Sequence, residues 1–105
     1  MEEKLLLLGA KVNKSPHNLF FRYSYAQALL EADMCKQAIE ELKICTVKKP
    51  EWMMAFLLLA QAQLSSGQKE DARSSLLTTM ELAKEQGHED PFNEASSLLG
   101  SIQET

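Results

Sequence analysis

Cys35, Cys45, His17 and His88 are the side chains from which a thiolate nucleophile, a general base or a metal site would have to be built in this chain. The two cysteines have neither C-x-x-C spacing nor a histidine at ligand spacing, so a zinc site or structural disulfide lacks support and reduced thiols fit best. His17 and His88 lie far apart near helix boundaries, with no Cys or acid at ligand spacing, and read as surface residues. The acid pairs Glu40-Glu41 and Glu70-Asp71 stand among Lys and Arg, which is the pattern of a solvated helix face rather than of paired catalytic carboxylates. The four glycines are scattered, and they form neither a phosphate-cradling loop nor a nucleophile turn. The expectation is a protein that is not an enzyme and uses no cofactor and no metal.

Chemistry that is not catalytic must then come from surfaces, and composition bounds which ones. With 105 residues, 45% of them hydrophobic and 25% charged, the chain has room for one folded domain and its core. All 11 Lys and Arg precede residue 85, and the acids after it make the C-terminal stretch negative. No basic stripe exists to displace counterions, so no nucleic-acid partner is expected. The acidic start Met-Glu-Glu-Lys and the short Leu5–Leu8 run are unlike a secretory signal and predict a cytoplasmic protein. Trp52–Ala60, the longest mostly apolar stretch, is about half of the roughly 20 residues a membrane helix needs, so it predicts buried helix and no membrane association.

Self-comparison gives the architecture. At one constant offset, the one that carries residue 25 onto residue 59, Tyr25-Ala26-Gln27-Ala28-Leu29-Leu30 falls on Leu59-Ala60-Gln61-Ala62-Gln63-Leu64. The same offset carries Ala38 onto Ala72, Leu42 onto Leu76 and Pro16 onto Pro50. Apolar periodicity and turn residues predict six helices near 2–13, 17–31, 35–48, 51–65, 69–86 and 91–103. Ser15-Pro16, Lys49-Pro50 and Asp90-Pro91 mark helix starts, and Gly67 and Gly87 mark ends. Leu5, Leu8 and Val12 precede Ile39, Leu42 and Thr46 by this offset too, so the first helix reads as the second half of a truncated repeat.

These residues resemble the tetratricopeptide repeat twice: Arg22, Tyr25-Ala26, Leu29, Ala38, Leu42 and Pro50, then Phe56, Leu59-Ala60, Gln63, Ala72, Leu76 and Lys84. Small residues at 26, 38, 60 and 72 let paired helices approach, while Tyr25, Leu42, Leu59 and Leu76 fill the space between neighbours. Cys45 falls where such repeats take a small residue, which makes it a buried, inert thiol, whereas Cys35 near a turn is the more open to oxidation. Arg22 departs from the pattern by standing where a large apolar residue belongs, and Gln63 and Lys84 replace the second Tyr and Pro. The resemblance implies an all-α fold, a short right-handed superhelix of helix pairs. Its implied division is an N-terminal capping helix at 1–15, repeats at 16–50 and 51–87, and a C-terminal capping helix at 88–105.

It also implies function. In this family the first helix of each pair lines a concave groove, which helical phase populates with Phe20, Tyr23, Ser24, Gln27, Leu30 and Glu31, then Met54, Leu57, Leu58, Gln61, Leu64 and Ser65. One branch clamps the C-terminal carboxylate of heat-shock chaperones with Lys, Arg and Asn, but the matching places here carry Tyr23, Gln27 and Leu58. The implied partner is therefore a protein or peptide whose amphipathic helix or apolar segment fits an apolar groove with Phe20, Tyr23, Ser24, Gln27, Met54, Leu57, Leu58 and Gln61 as contacts. The alternative is a homodimer in which a second copy, or the chain's own terminal helices, closes the groove. Trp52 reads either as an anchor for the partner or as packing over the preceding helix end.

Overall fold

Asn18 shows how local chemistry sets the elements: its Oδ1 accepts from the Phe21 amide at 3.1 Å, which caps the helix that follows. The computed structural model describes residues 2–103 as six α-helices: α1 Glu2–Lys14, α2 Leu19–Glu31, α3 Cys35–Lys48, α4 Met53–Ser65, α5 Lys69–Gln86 and α6 Glu89–Gln103. The helices α3 and α5 have the expected bounds, and the starts after proline differ. Pro16 and Pro50 lie in turns, so α2 and α4 begin at Leu19 and Met53 rather than at 17 and 51. Asp90-Pro91 is not a cap: Pro91 is the third residue of α6, inside the first turn, where a missing N–H breaks no helical bond.

Helix ends repeat as the sequence does. After α2, the Met34 amide donates to the Leu29 carbonyl at 2.8 Å and the Asp33 amide to Leu30 at 3.0 Å. After α4, Gln68 and Gly67 make the same two bonds to Gln63 and Leu64, at 2.8 and 3.1 Å. Both turns require a left-handed residue, supplied at equivalent repeat positions by Asp33 at φ 63° and Gly67 at φ 78°. Helix α3 ends instead at Lys49, whose φ of −135° and ψ of 78° lie outside the helical region that the following Pro50 disfavours for it.

Each helix packs on its sequence neighbours, and in addition α2 meets α4 and α4 meets α6, whereas α1, α3 and α5 do not meet one another. The chain thus forms two layers, with the closer helix approach in the layer of α2, α4 and α6. One core cluster joins Ala26 and Leu29 of α2, Ala38, Ile39 and Leu42 of α3, and Leu58, Leu59 and Ala62 of α4. A second joins Leu57 and Ala60 of α4, Ala72 and Leu76 of α5, and Ala95 and Ile102 of α6. The small residues at 26, 38, 60 and 72 are fully buried. Helix α4 feeds both clusters and contains no charged residue, as expected of a helix enclosed on nearly all sides.

Two polar residues that break the repeat pattern are accommodated by specific partners. Arg22 donates from Nη1 to Glu41 Oε1 at 2.8 Å and from Nε to the Pro16 carbonyl at 3.0 Å, tying α2 to α3 and to the turn after α1. Glu41 is therefore a mostly buried ion-pair partner, not part of a solvated face. Gln63 is buried and accepts from Ser75 Oγ at 2.7 Å, joining α4 to α5. Among the described residues no helix is long and apolar enough to cross a membrane, and no cluster of three or more His, Cys, Asp or Glu is arranged to hold a metal.

Candidate interaction surface

The α2, α4, α6 layer carries the twelve residues expected to line a groove, and the structure divides them. Phe20 is 67% exposed and Met54 41% exposed. Gln27, Glu31 and Ser65 are exposed, and Tyr23, Ser24, Leu30, Gln61 and Leu64 are half-buried. Leu57 and Leu58 are not open to a partner. Leu57 is 2% exposed within the α4, α5, α6 cluster, where it is packed with Ala95 and Ile102 of α6. Leu58 belongs to the α2, α3, α4 cluster. An enclosed central helix leaves few of its side chains outside, and neighbouring residues 57 and 58 turn toward opposite flanking helices.

The large apolar residues that remain open, Phe20 and Met54, lie at the starts of α2 and α4, and the exposed polar ones, Gln27, Glu31 and Ser65, lie further along. Trp52 stands one repeat after the Asn18 cap but makes no side-chain cap for α4. Its ring stacks on Tyr23 at 5.0 Å between centroids and 27° between planes, and meets Phe20 edge-on at 5.5 Å. Trp52 thus meets two rings of α2, and the end of the preceding helix reaches it as well, through Lys49, the C-cap of α3. Lys49 Nζ stands 5.4 Å from the Trp52 ring centroid and 6.0 Å from that of Phe20. Burial raises the pKa of the Tyr23 hydroxyl, and nearby Cys45 raises it further. Further along the layer, Gln61 Nε2 donates to Glu94 Oε2 of α6 at 2.9 Å, and Lys4 of α1 reaches Glu31 at 3.5 Å.

Lys49 and Glu94 were not among the expected groove residues. Lys49 follows α3, and only the return of the chain through Pro50 to Trp52 lays it over the rings. Glu94 faces Gln61 because α6 lies beside α4, a placement that the repeat offset does not fix. The histidines take no part in this surface: both are exposed, at the two ends of different helix pairs.

No family model and no curated protein matches the sequence. Solved structures do resemble it: a protein from Bordetella parapertussis superposes with a TM-score of 0.81 at 17% identity, over 95% of this chain and 87% of that one. The tetratricopeptide (TPR) domain of Sgt2 from Aspergillus fumigatus gives 0.79 at 18% identity, over 95% of this chain and 64% of that one. The fold is that of the tetratricopeptide repeat. A third TPR structure, the first TPR of Spaghetti (RPAP3) bound to the HSP90 peptide SRMEEVD, gives 0.74 at 16% identity, over 97% of this chain and 92% of that one. Phe20 and Met54 are related by the same offset that carries Tyr25 onto Leu59, and each is the second residue of its helix.

Proposed function

We propose that this chain is a protein-interaction module of two repeats, 16–50 and 51–87, flanked by capping segments 1–15 and 88–105, that holds a segment of a partner protein against α2, α4 and α6. The observation that carries this reading is the pair Phe20 and Met54: large apolar side chains at equivalent repeat positions, both exposed on one layer. Equivalent positions in stacked repeats open on the same side, so the two offer successive anchor points to one extended or helical ligand. Tyr23, Ser24, Gln27 and Gln61, further along the same two helices, would supply polar contacts, and Met54 adds an adaptable surface.

The acidic HSP90 peptide bound by the RPAP3 domain is a poor guide to this ligand. Between them α2 and α4 hold one cation, Arg22, and its guanidinium is committed to Glu41. Closure by a second copy also loses much of its motive, because Leu57 and Leu58 are covered by the chain's own helices.

Affinity capture with the wild type and a Phe20→Ala/Met54→Ala double variant tests the reading, since both positions are exposed and the variant retains the core. The wild type is expected to retain a partner that the variant loses at an unchanged melting temperature. Equal recovery by both would remove this surface as the binding site, and a dimer dissociated by the same variant would assign it to self-association instead.

A further inference from the structure

The aromatic patch already holds a cation. Lys49 Nζ lies over Trp52 and Phe20, and Trp52 is backed by its stack on Tyr23. Lys49 and Phe20 are exposed, and no carboxylate among the described residues forms an ion pair with Lys49. The rings therefore present their electron-rich faces to a flexible, strongly hydrated ammonium, an arrangement that a better-fitting cation can displace.

The charge of the layer points the same way. Helices α2, α4 and α6 carry Glu31, Glu89, Asp90 and Glu94, and their single cation is Arg22, turned away to Glu41 on α3. Glu94 is exposed and meets Gln61, about two turns along α4 from Met54 on the layer that carries the expected contacts, so negative charge lies on the face that the partner would cover. A peptide ending in acids would meet this charge unfavourably, and a basic one would be drawn to it.

Building on the interaction-module reading, we infer that the occupant of this face is a basic amphipathic segment of a partner protein, with an arginine side chain stacked on Phe20 and Trp52 in place of Lys49. Arginine fits better than lysine because its planar guanidinium is weakly hydrated and stacks on aromatic faces. Further basic side chains of the segment would face Glu94, and its apolar side would cover Met54.

The test uses three short amphipathic peptides of alanine and leucine whose polar positions are all arginine, all glutamine or all glutamate. Trp52 is the only tryptophan, so its indole emission and N–H resonance report on the patch directly. The ε-methylene protons of Lys49, shifted by the ring currents of the aromatic groups, should move back toward their ordinary position when the side chain is displaced. The arginine peptide is expected to bind roughly tenfold tighter than the glutamine peptide, and to weaken as salt is added. Phe20→Ala should weaken it by roughly tenfold without changing the melting temperature, and Lys49→Ala, which removes the internal competitor, should strengthen it severalfold.

Equal binding by the glutamine peptide at the same resonances would overturn the cationic partner and leave the interaction surface standing. Preference for the glutamate peptide would overturn it as well. An arginine peptide that leaves Trp52 and Lys49 unmoved would end the inference whatever the capture experiment gives, and equal recovery in capture is the separate result that ends the underlying reading.

Discussion

Cys45 sits at the junction of α2 and α3 with no solvent exposure, its Sγ 3.7 Å from the Leu19 carbonyl. Burial pushes its pKa up to about 11, and Glu41 pushes the same way against the opposing charge of Arg22. The folded state therefore keeps the thiol protonated over a range in which the unfolded chain, titrating near about 8.5, has lost the proton. Unfolding then releases a proton, so stability is full below about 8.5 and falls as pH rises toward about 11, by on the order of 2 kcal/mol. Urea titrations at successive pH values should show that loss, and the difference from Cys45→Ala isolates the thiol from other alkaline titrations. A wild-type slope equal to the variant's would show that the thiol contributes nothing. Asp33 offers a second residue-level test. It stands at φ 63° where Gly67 serves in the next repeat. Asp33→Gly should relieve the left-handed strain by more than it adds to chain entropy, raising stability by about 0.5 kcal/mol in the same titration.

Between elements, the buried contact of Ser75 with Gln63 decides how α4 and α5 lock together. Ser75→Ala leaves the Gln63 carbonyl oxygen without that donor and should cost about 1–3 kcal/mol, whereas Ser75→Ala/Gln63→Leu, which also removes the buried amide, should recover most of the loss. A double variant no more stable than the single one would mean that Gln63 is held by other contacts. The sequence made much of the element level legible because repetition itself was the signal: one offset matched small residues, helix ends and the bounds of α3 and α5. It was less informative at the prolines, since a proline is tolerated both in the turn before a helix and within its first turn, so Pro16 and Pro50 do not say where the helix starts, and Asn18 does so for α2 through its side chain. The partners of Arg22 and Gln63 were hidden because a polar residue in a repeat does not name its mate on the facing helix. The groove was legible in its helices but not in its open residues. Burial of Leu57 depends on α6, which arrives after an α5 of 18 residues where α3 has 14, so the simple offset does not place it.

Over the whole molecule, stability follows from how each terminal helix completes the array. Repeat arrays gain most of their stability from interfaces between neighbours, so the two ends need not contribute equally. At one end α6 buries Ala95 and Ile102 and packs Leu98 and Leu99 against the second cluster. At the other, α1 buries Val12 and lays Leu5 against the first cluster, while Leu6 and Leu7 remain 74% and 59% exposed. Removing residues 88–105 should therefore be the more damaging truncation. It uncovers Leu57, Ala60 and Leu76, and at roughly 1.5–3 kcal/mol for each large apolar side chain fully buried, the loss is on the order of 5 kcal/mol, comparable with the whole stability of a small domain. The shortened chain should bind a hydrophobic dye and lose its sharp thermal transition, whereas a chain lacking residues 1–15 should still unfold cooperatively at a lower temperature. Because Leu57 is part of the same α6 interface, Leu57→Asp should resemble the C-terminal truncation in dye binding and melting. If the two truncations melted alike, α6 would be no more than a peripheral helix, and the burial of Leu57 would not depend on it.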